Sequence, residues 1–190
     1  PDATAVMDPF HVVRLAGEAL DSTRRRVQQA IHGHRGRSGD PLYGARRTLH
    51  TGAALLTSRQ TARLDALFAD DNHVEVEATY GVYQQMITAY REPDPAKGRA
   101  VMARLIRSVS SGVPAALKEV ITLGRTLKKR AADILAYFDY PRTSNGPTEA
   151  INGRLEHLRG SALGFRNLTN YVARSLLETG GFRPALHPGL

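Results

Sequence analysis

The sequence predicts a mainly α-helical fold with a small α/β start, and three observations carry that expectation. Apolar residues recur every three to four positions through most of the chain, the spacing of helices that bury one face. Glycine and proline punctuate the periodic segments at 33–41, 93–95 and 112–114, then at Pro141 and at Gly180 with Gly181, as expected between helices rather than inside them. Only Ala3-Thr4-Ala5-Val6-Met7-Asp8 reads as the last residues of a short buried strand, ending on an acid. With 190 residues, 42% of them hydrophobic, the chain can bury a core in one domain with at most a sub-domain.

Taken in order, Pro9 begins a helix in which Phe10, Val13, Ala16, Gly17, Leu20, Val27 and Ile31 keep helical spacing. Arg24, Arg25 and Arg26 ring its far end, where the helix dipole favours cations. Asp8 thus stands at a strand-to-helix junction, a place where α/β sheets bind ligands. Gly33, Gly36, Gly39 and Pro41, set among charges, predict a loop over 33–43. Residues 46–56 admit either a short strand or a helix start, because Leu49, Leu55 and Leu56 suit both. Thr57 or Ser58 caps a helix carrying Ala62, Leu64, Leu67 and Phe68, which Asp70-Asp71-Asn72 ends. Val74 and Val76 alternate as in a strand, whereas Tyr80, Tyr83, Met86, Ile87 and Tyr90 predict a helix from about Glu77 until Pro93 and Pro95 break it. Val101, Leu105, Ile106 and Val109 define an amphipathic helix over 96–111, and the run from Leu117 to Phe138 another over 115–138. Ser144 and Asn145 then cap a further helix with Pro147 at its first position. In that helix Ile151, Leu155 and Leu158 form the stripe expected in the core, opposite Glu149, Asn152 and Glu156. A last helix over 169–179 uses Val172, Leu176 and Leu177, and a loose tail with Pro184 and Pro188 follows.

Composition narrows the chemistry. No apolar run approaches the roughly 18 residues of a membrane span, and no basic start with an apolar h-region marks a secretory signal, so no membrane partner is expected. Zero cysteines exclude thiolate metal sites, and the seven histidines lack the usual zinc spacings. The net charge is +8, with 22 of the 26 basic residues arginine. The planar guanidinium fork suits phosphate, which points to nucleic acid, although an arginine-rich, lysine-poor composition is also what a GC-rich genome writes. Residues 9–63 hold 10 basic and 3 acidic side chains, 64–96 hold 1 and 7, and 97–190 hold 15 and 6, so two basic parts flank an acidic middle. If the flanks fold together they present one positive face.

Carboxylates converging from separate elements can hold Mg²⁺ or Mn²⁺, hard cations that take oxygen ligands and serve phosphoryl transfer. Asp8 and Glu149 are the candidates, 141 residues apart on a strand end and a helix's polar face. Both have structural readings as well. Asp8 before a proline is a good helix cap, and Glu149 in a first turn is favoured by the dipole by a few tenths to about 1 kcal/mol. Spacing alone leaves both readings open.

Three ordered blocks add a resemblance to a known family. Met7-Asp8-Pro9-Phe10-His11-Val12-Val13-Arg14-Leu15-Ala16, with Asp21 and Arg24-Arg25, resembles the block around the second catalytic Asp of ISL-type insertion-sequence transposases, a DDE group. Arg46-Arg47-Thr48-Leu49 with Leu55-Leu56-Thr57 and the stretch 60–67 resemble that family's next block. Thr143-Ser144-Asn145-Gly146, Glu149-Ala150-Ile151-Asn152-Gly153-Arg154 and Gly164-Phe165-Arg166-Asn167 are similar to the block bearing its catalytic Glu. The resemblance covers residues 3–181.

It implies a partial RNase H-like catalytic core interrupted by a helical insertion. Residues 1–45 would hold the strand and first helix of the core, 46–140 the insertion and 141–190 the core's C-terminal helices. Asp8 would be the second metal-binding Asp and Glu149 the third acid, around Mg²⁺ or Mn²⁺. His11, Asn152, Arg154 and Arg159 are candidates for support or phosphate contacts. Lys128, Lys129 and Arg130 are candidates for the DNA backbone, against the alternative of a solvated helix face. The implied partner is DNA at the element ends, with a homo-oligomer allowed, no small-molecule cofactor, and a cytoplasmic, nucleoid-associated setting. The family's first Asp, zinc-binding and helix-turn-helix segments have no counterpart here, and Asp2, on the same strand as Asp8, cannot replace that Asp. The expectation is therefore the C-terminal portion of a transposase from a truncated or interrupted element, inactive by itself. The alternatives are a helical DNA-binding or interaction module without catalysis and a non-functional remnant that barely folds.

Overall fold

The computed structural model describes residues 4–143 and 146–179, apart from the side chain of Pro147. Its described residues form helices joined by short turns, with no strand. Two compact units divide at residues 143 and 144.

The first unit is organised around α1 (Pro9–His32). Asp8 caps it with a side-chain oxygen 2.7 Å from the Phe10 N–H, and Pro9 occupies the first turn, where a missing N–H costs nothing. Gly33 ends it at φ 70°, a left-handed conformation that returns its N–H to the Gln29 carbonyl. Val12, Ala16, Leu20, Thr23, Val27 and Gln28 are buried along its length. Because α1 runs on to His32, the three arginines lie in its interior rather than at its end. Arg24 is buried and holds Asp21 at 2.9 and 3.0 Å. Arg26 grips Glu119 at 2.8 and 2.9 Å, pairs with Glu75 and reaches the Ala116 carbonyl.

The expected strand before α1 does not form among the described residues. Asp8 is extended, at φ −60° and ψ 131°, but a strand needs a ladder, and the Met7 N–H donates instead to the Asp133 carbonyl at 3.0 Å. After α1, Pro41 starts the single turn α2 (Pro41–Ala45), which overlaps the last residues of the 33–43 segment expected to be loop. Residues 46–56 settle as 3₁₀ turns at Thr48–His50 and Ala53–Leu55. Thr57 opens α3 (Ser58–Phe68) through a capping box, accepting from the Gln60 N–H while the Gln60 side chain accepts from the Thr57 N–H. The acidic turn Asp71–His73 leads into α4 (Val74–Arg91). The apparent strand alternation of Val74 and Val76 is the start of this helix, with Val74 exposed and Val76 buried.

Asp94 caps α5 (Pro95–Ser110) by accepting from the Ala96 and Lys97 N–H groups. The apolar run that predicts one helix over 115–138 forms two, α6 (Lys118–Lys129) and α7 (Ala131–Asp139), broken at Arg130 with φ −106° and ψ 15°. No proline or glycine marks that break. Both halves pack on α5, so the bend lets two apolar stripes face one neighbour. The core lies where α1, α4, α5, α6 and α7 meet, around Leu20, Met86, Met102, Leu127 and Ile134. Full burial of each such side chain is worth about 1.5–3 kcal/mol.

The second unit pairs α8 (Gly146–Ser161) with α9 (Leu168–Thr179). Leu163 and Gly164 take positive φ at the turn between them, the Phe165 ring tilts onto Tyr171 at 5.2 Å, and Asn167 caps α9 by accepting from the Thr169 N–H at 2.8 Å. The stripe expected to be core is only partly covered: Leu155 and Leu158 are half-buried and Ile151 is exposed. The caps read at Ser144 and Asn145 lie outside the described residues.

Gly124 sets the separation of α5 and α6, since a Cβ built on it would overlap the Val109 carbonyl oxygen. Replacement by alanine is expected to destabilise the chain by about 3 kcal/mol, at the upper end of overpacking effects, and a urea unfolding midpoint matching the native chain would refute this contact. The Arg26 hydrogen bonds hold the Glu119 carboxyl below the usual glutamate range. That contribution is complete above the ordinary glutamate pKa and is lost as pH falls through the lowered one. Melts from pH 6 to pH 3 are expected to show a shallower acid loss in Glu119→Gln than in the native chain.

Candidate functional site

Asp8 sits where the extended entry turns into α1. The carboxylate is half-buried, one oxygen serves the Phe10 N–H, and the backbone carbonyl accepts from His11 and Val12 at 3.1 and 3.3 Å. His11 is half-buried with its ring edge-on to Phe10, centroids 5.8 Å apart. Tyr90, near the end of α4, stacks on Phe138 at 5.4 Å and meets Tyr137 edge-on. Its hydroxyl is buried with no hydrogen-bond partner among the described residues. Burial above all, then Tyr137 and the nearby charge of Asp8, hold this phenol well above its ordinary range. Nothing in the sequence spacing singles out Tyr90, which reads there only as an apolar helix position.

Glu149 lies exposed in the first turn of α8, in the second unit. At 100° per residue Asn152, Glu156 and Arg159 share its face, while Arg154 lies about 140° around the helix. All four are exposed, and Arg159 reaches Glu156 at 3.4 Å. Asp8, His11 and Tyr90 therefore belong together in the first unit, and Glu149, Asn152 and Arg159 in the second. Among the described residues no three His, Cys, Asp or Glu side chains form a group that could hold a metal.

Lys128 and Lys129 occupy the last turn of α6 and are exposed. Arg130, which ends that helix, is instead paired with Asp133 at 3.2 Å. Two further cations on the same helix, Lys118 and Arg125, are exposed and were missed by the reading of the sequence, although their spacing was available there.

The family model described as a transposase of the ISL3 DDE type matches residues 1–175. Two curated relatives, each the transposase for insertion sequence element IS1557, come from Mycobacterium tuberculosis strains CDC 1551 and H37Rv. Each is 31% identical over 209 aligned positions that take in all of this chain and 45% of the relative, so the chain spans a little under half of either relative's length. No solved structure matches. Among the described residues no helix is long and apolar enough to cross a membrane. With the matched region containing both candidate acids, the chain belongs to the ISL3 group of DDE transposases.

Proposed function

We propose that this chain supplies two acids, Asp8 and Glu149, to the metal-dependent DNA cleavage and strand transfer of an insertion-sequence transposase. The observation that carries the reading is the family match over 1–175, which includes both acids in their sequence blocks. In this reading Asp8 and Glu149 hold Mg²⁺ or Mn²⁺, which when bound supplies charge stabilisation for phosphoryl transfer. His11, Asn152, Arg154 and Arg159 support the acids or contact phosphate. Residues 1–45 and 141–190 are assigned to an RNase H-like core and 46–140 to a helical insertion. The partner is DNA at the element's ends, handled by a homo-oligomer at the nucleoid in the cytoplasm. The family's first Asp has no counterpart among the 190 residues, so these residues alone are expected not to cleave DNA.

A second reading, a helical DNA-binding module without catalysis, is favoured by the exposed cations of α6, which make no ion pair among the described residues. Calorimetric titration with Mn²⁺ separates the two. Binding that weakens at least tenfold in both Asp8→Asn and Glu149→Gln is expected, whereas no Mn²⁺ heat, or heat indifferent to both variants, supports the module. Cleavage of an element-end duplex by the 190 residues with Mn²⁺ would overturn their assigned inactivity.

The two roles of Asp8 separate by substitution. Asparagine keeps the cap, so Asp8→Asn is expected to unfold within about 0.5 kcal/mol of the native chain, while Asp8→Ala loses about 1 kcal/mol. Equal losses in thermal melts would show that the carboxylate's charge, not its capping bond, stabilises α1.

A further inference from the structure

The solvent face of α6 carries a line of positive charge that the fold does not use. Lys118, Arg125 and Lys129 fall within about 40° of one another around the helix and span about 16 Å along its axis, with Lys128 at the flank. All four are exposed, and none makes an ion pair among the described residues. The helix's own acid, Glu119, is already engaged by Arg26 from α1, so it does not neutralise the line. Across the adjoining groove of about 410 Å³, Glu18 of α1 lies beside Arg14, at 3.5 Å.

Helix stability does not account for this arrangement. The dipole favours Lys128 and Lys129 in the last turn but disfavours Lys118 in the first, and Arg125 and Lys129 are like charges one turn apart. The line itself holds Thr122 between its cations and offers no exposed large apolar side chain. It therefore lacks the aromatic or aliphatic anchor of a protein interface and the apolar face of a membrane-surface helix. What matches it is a regular row of phosphates. One strand of a duplex advances about 3.4 Å per nucleotide, so 16 Å of cations parallels roughly five of them.

We propose that the outer face of α6 is a track for the phosphate backbone of duplex DNA, gripped by Lys118, Arg125 and Lys129 with Lys128 beside them. The choice of DNA rests on the transposase reading above. The track itself is independent of the acids, and it differs from the basic cluster at 128–130 in adding Lys118 and Arg125 and in leaving Arg130 to Asp133. Contacts of this kind set register and affinity without reading sequence.

The test is fluorescence anisotropy of the full chain on a duplex of arbitrary sequence, about 25 base pairs long, between 50 and 200 mM salt. The triple variant K118Q/R125Q/K129Q is expected to lower the slope of log K against log salt by about 2.7, and R125Q alone by about 0.9. Between those two salt concentrations the triple variant should then lose about 40-fold less affinity than the native chain. Circular dichroism should show unchanged helix content, and R59Q/R63Q on α3 should leave the slope as it is. A triple variant with the native slope overturns the track, as does a native chain that binds no duplex DNA or binds duplex RNA more tightly. A stripe-dependent slope without a Mn²⁺ response leaves the track standing and removes the metal reading. A Mn²⁺ response at Asp8 and Glu149 with a stripe-independent slope does the reverse.

Discussion

One guanidinium joins three helices in the first unit. Arg26 projects from α1, meets the Glu119 carboxylate of α6 through two nitrogens, pairs with Glu75 at the start of α4 and reaches the Ala116 carbonyl. Its side chain is 27% exposed, and that of Glu119 15%. An arrangement in this range escapes the full desolvation of a buried pair, yet its forked geometry is far more defined than that of a surface pair. The apolar surfaces of α1, α4 and α6 would pack in several registers, because leucine and valine side chains impose little direction. A fork that must satisfy two acids and a carbonyl admits few. The second polar chain along α1, from Arg24 to Gln28 to Asp40, similarly ties the turn at 37–40 to the same helix.

Which parts were legible in the sequence follows from whether the determining force is local. The spans of α1, α3, α5 and α9 emerge from apolar spacing, with Pro9 and Thr57 marking the starts of α1 and α3, since caps and stripes act within one or two turns. The expected strand failed among its described residues, 4–8, because a strand is defined by a neighbour, and the Met7 N–H found a helical carbonyl instead. The break at Arg130 is likewise tertiary: nothing in 127–134 opposes a continuous helix except the need of both halves to reach α5. At the candidate site, Asp8 at a helix entry and Glu149 in a first turn were both readable. The buried hydroxyl of Tyr90, without a partner among the described residues, was not, because it depends on what α4 and α7 bury around it.

The blocks that resemble those of the transposase family also hold up the local structure. Asp8 caps α1, Gly164 takes the left-handed turn before α9, Phe165 packs on Tyr171 and Asn167 caps α9. Their place in such a block is therefore no measure of chemistry by itself. A residue under two constraints tolerates fewer substitutions than either alone would permit, and Asp8 is the position where asparagine meets one requirement and fails the other.

Gly124 has a consequence that reaches beyond packing. Backbone meets backbone where α6 crosses the end of α5, so the spacing of these helices is fixed by atoms that no side-chain rearrangement can move. The cations of the line, about 100–140° around α6 from Gly124, consequently stand on a platform already ordered before any ligand arrives. Binding there has only side-chain rotamers to immobilise, and no backbone to fold, which keeps the entropy loss small and the response to ionic strength close to that of fixed point charges.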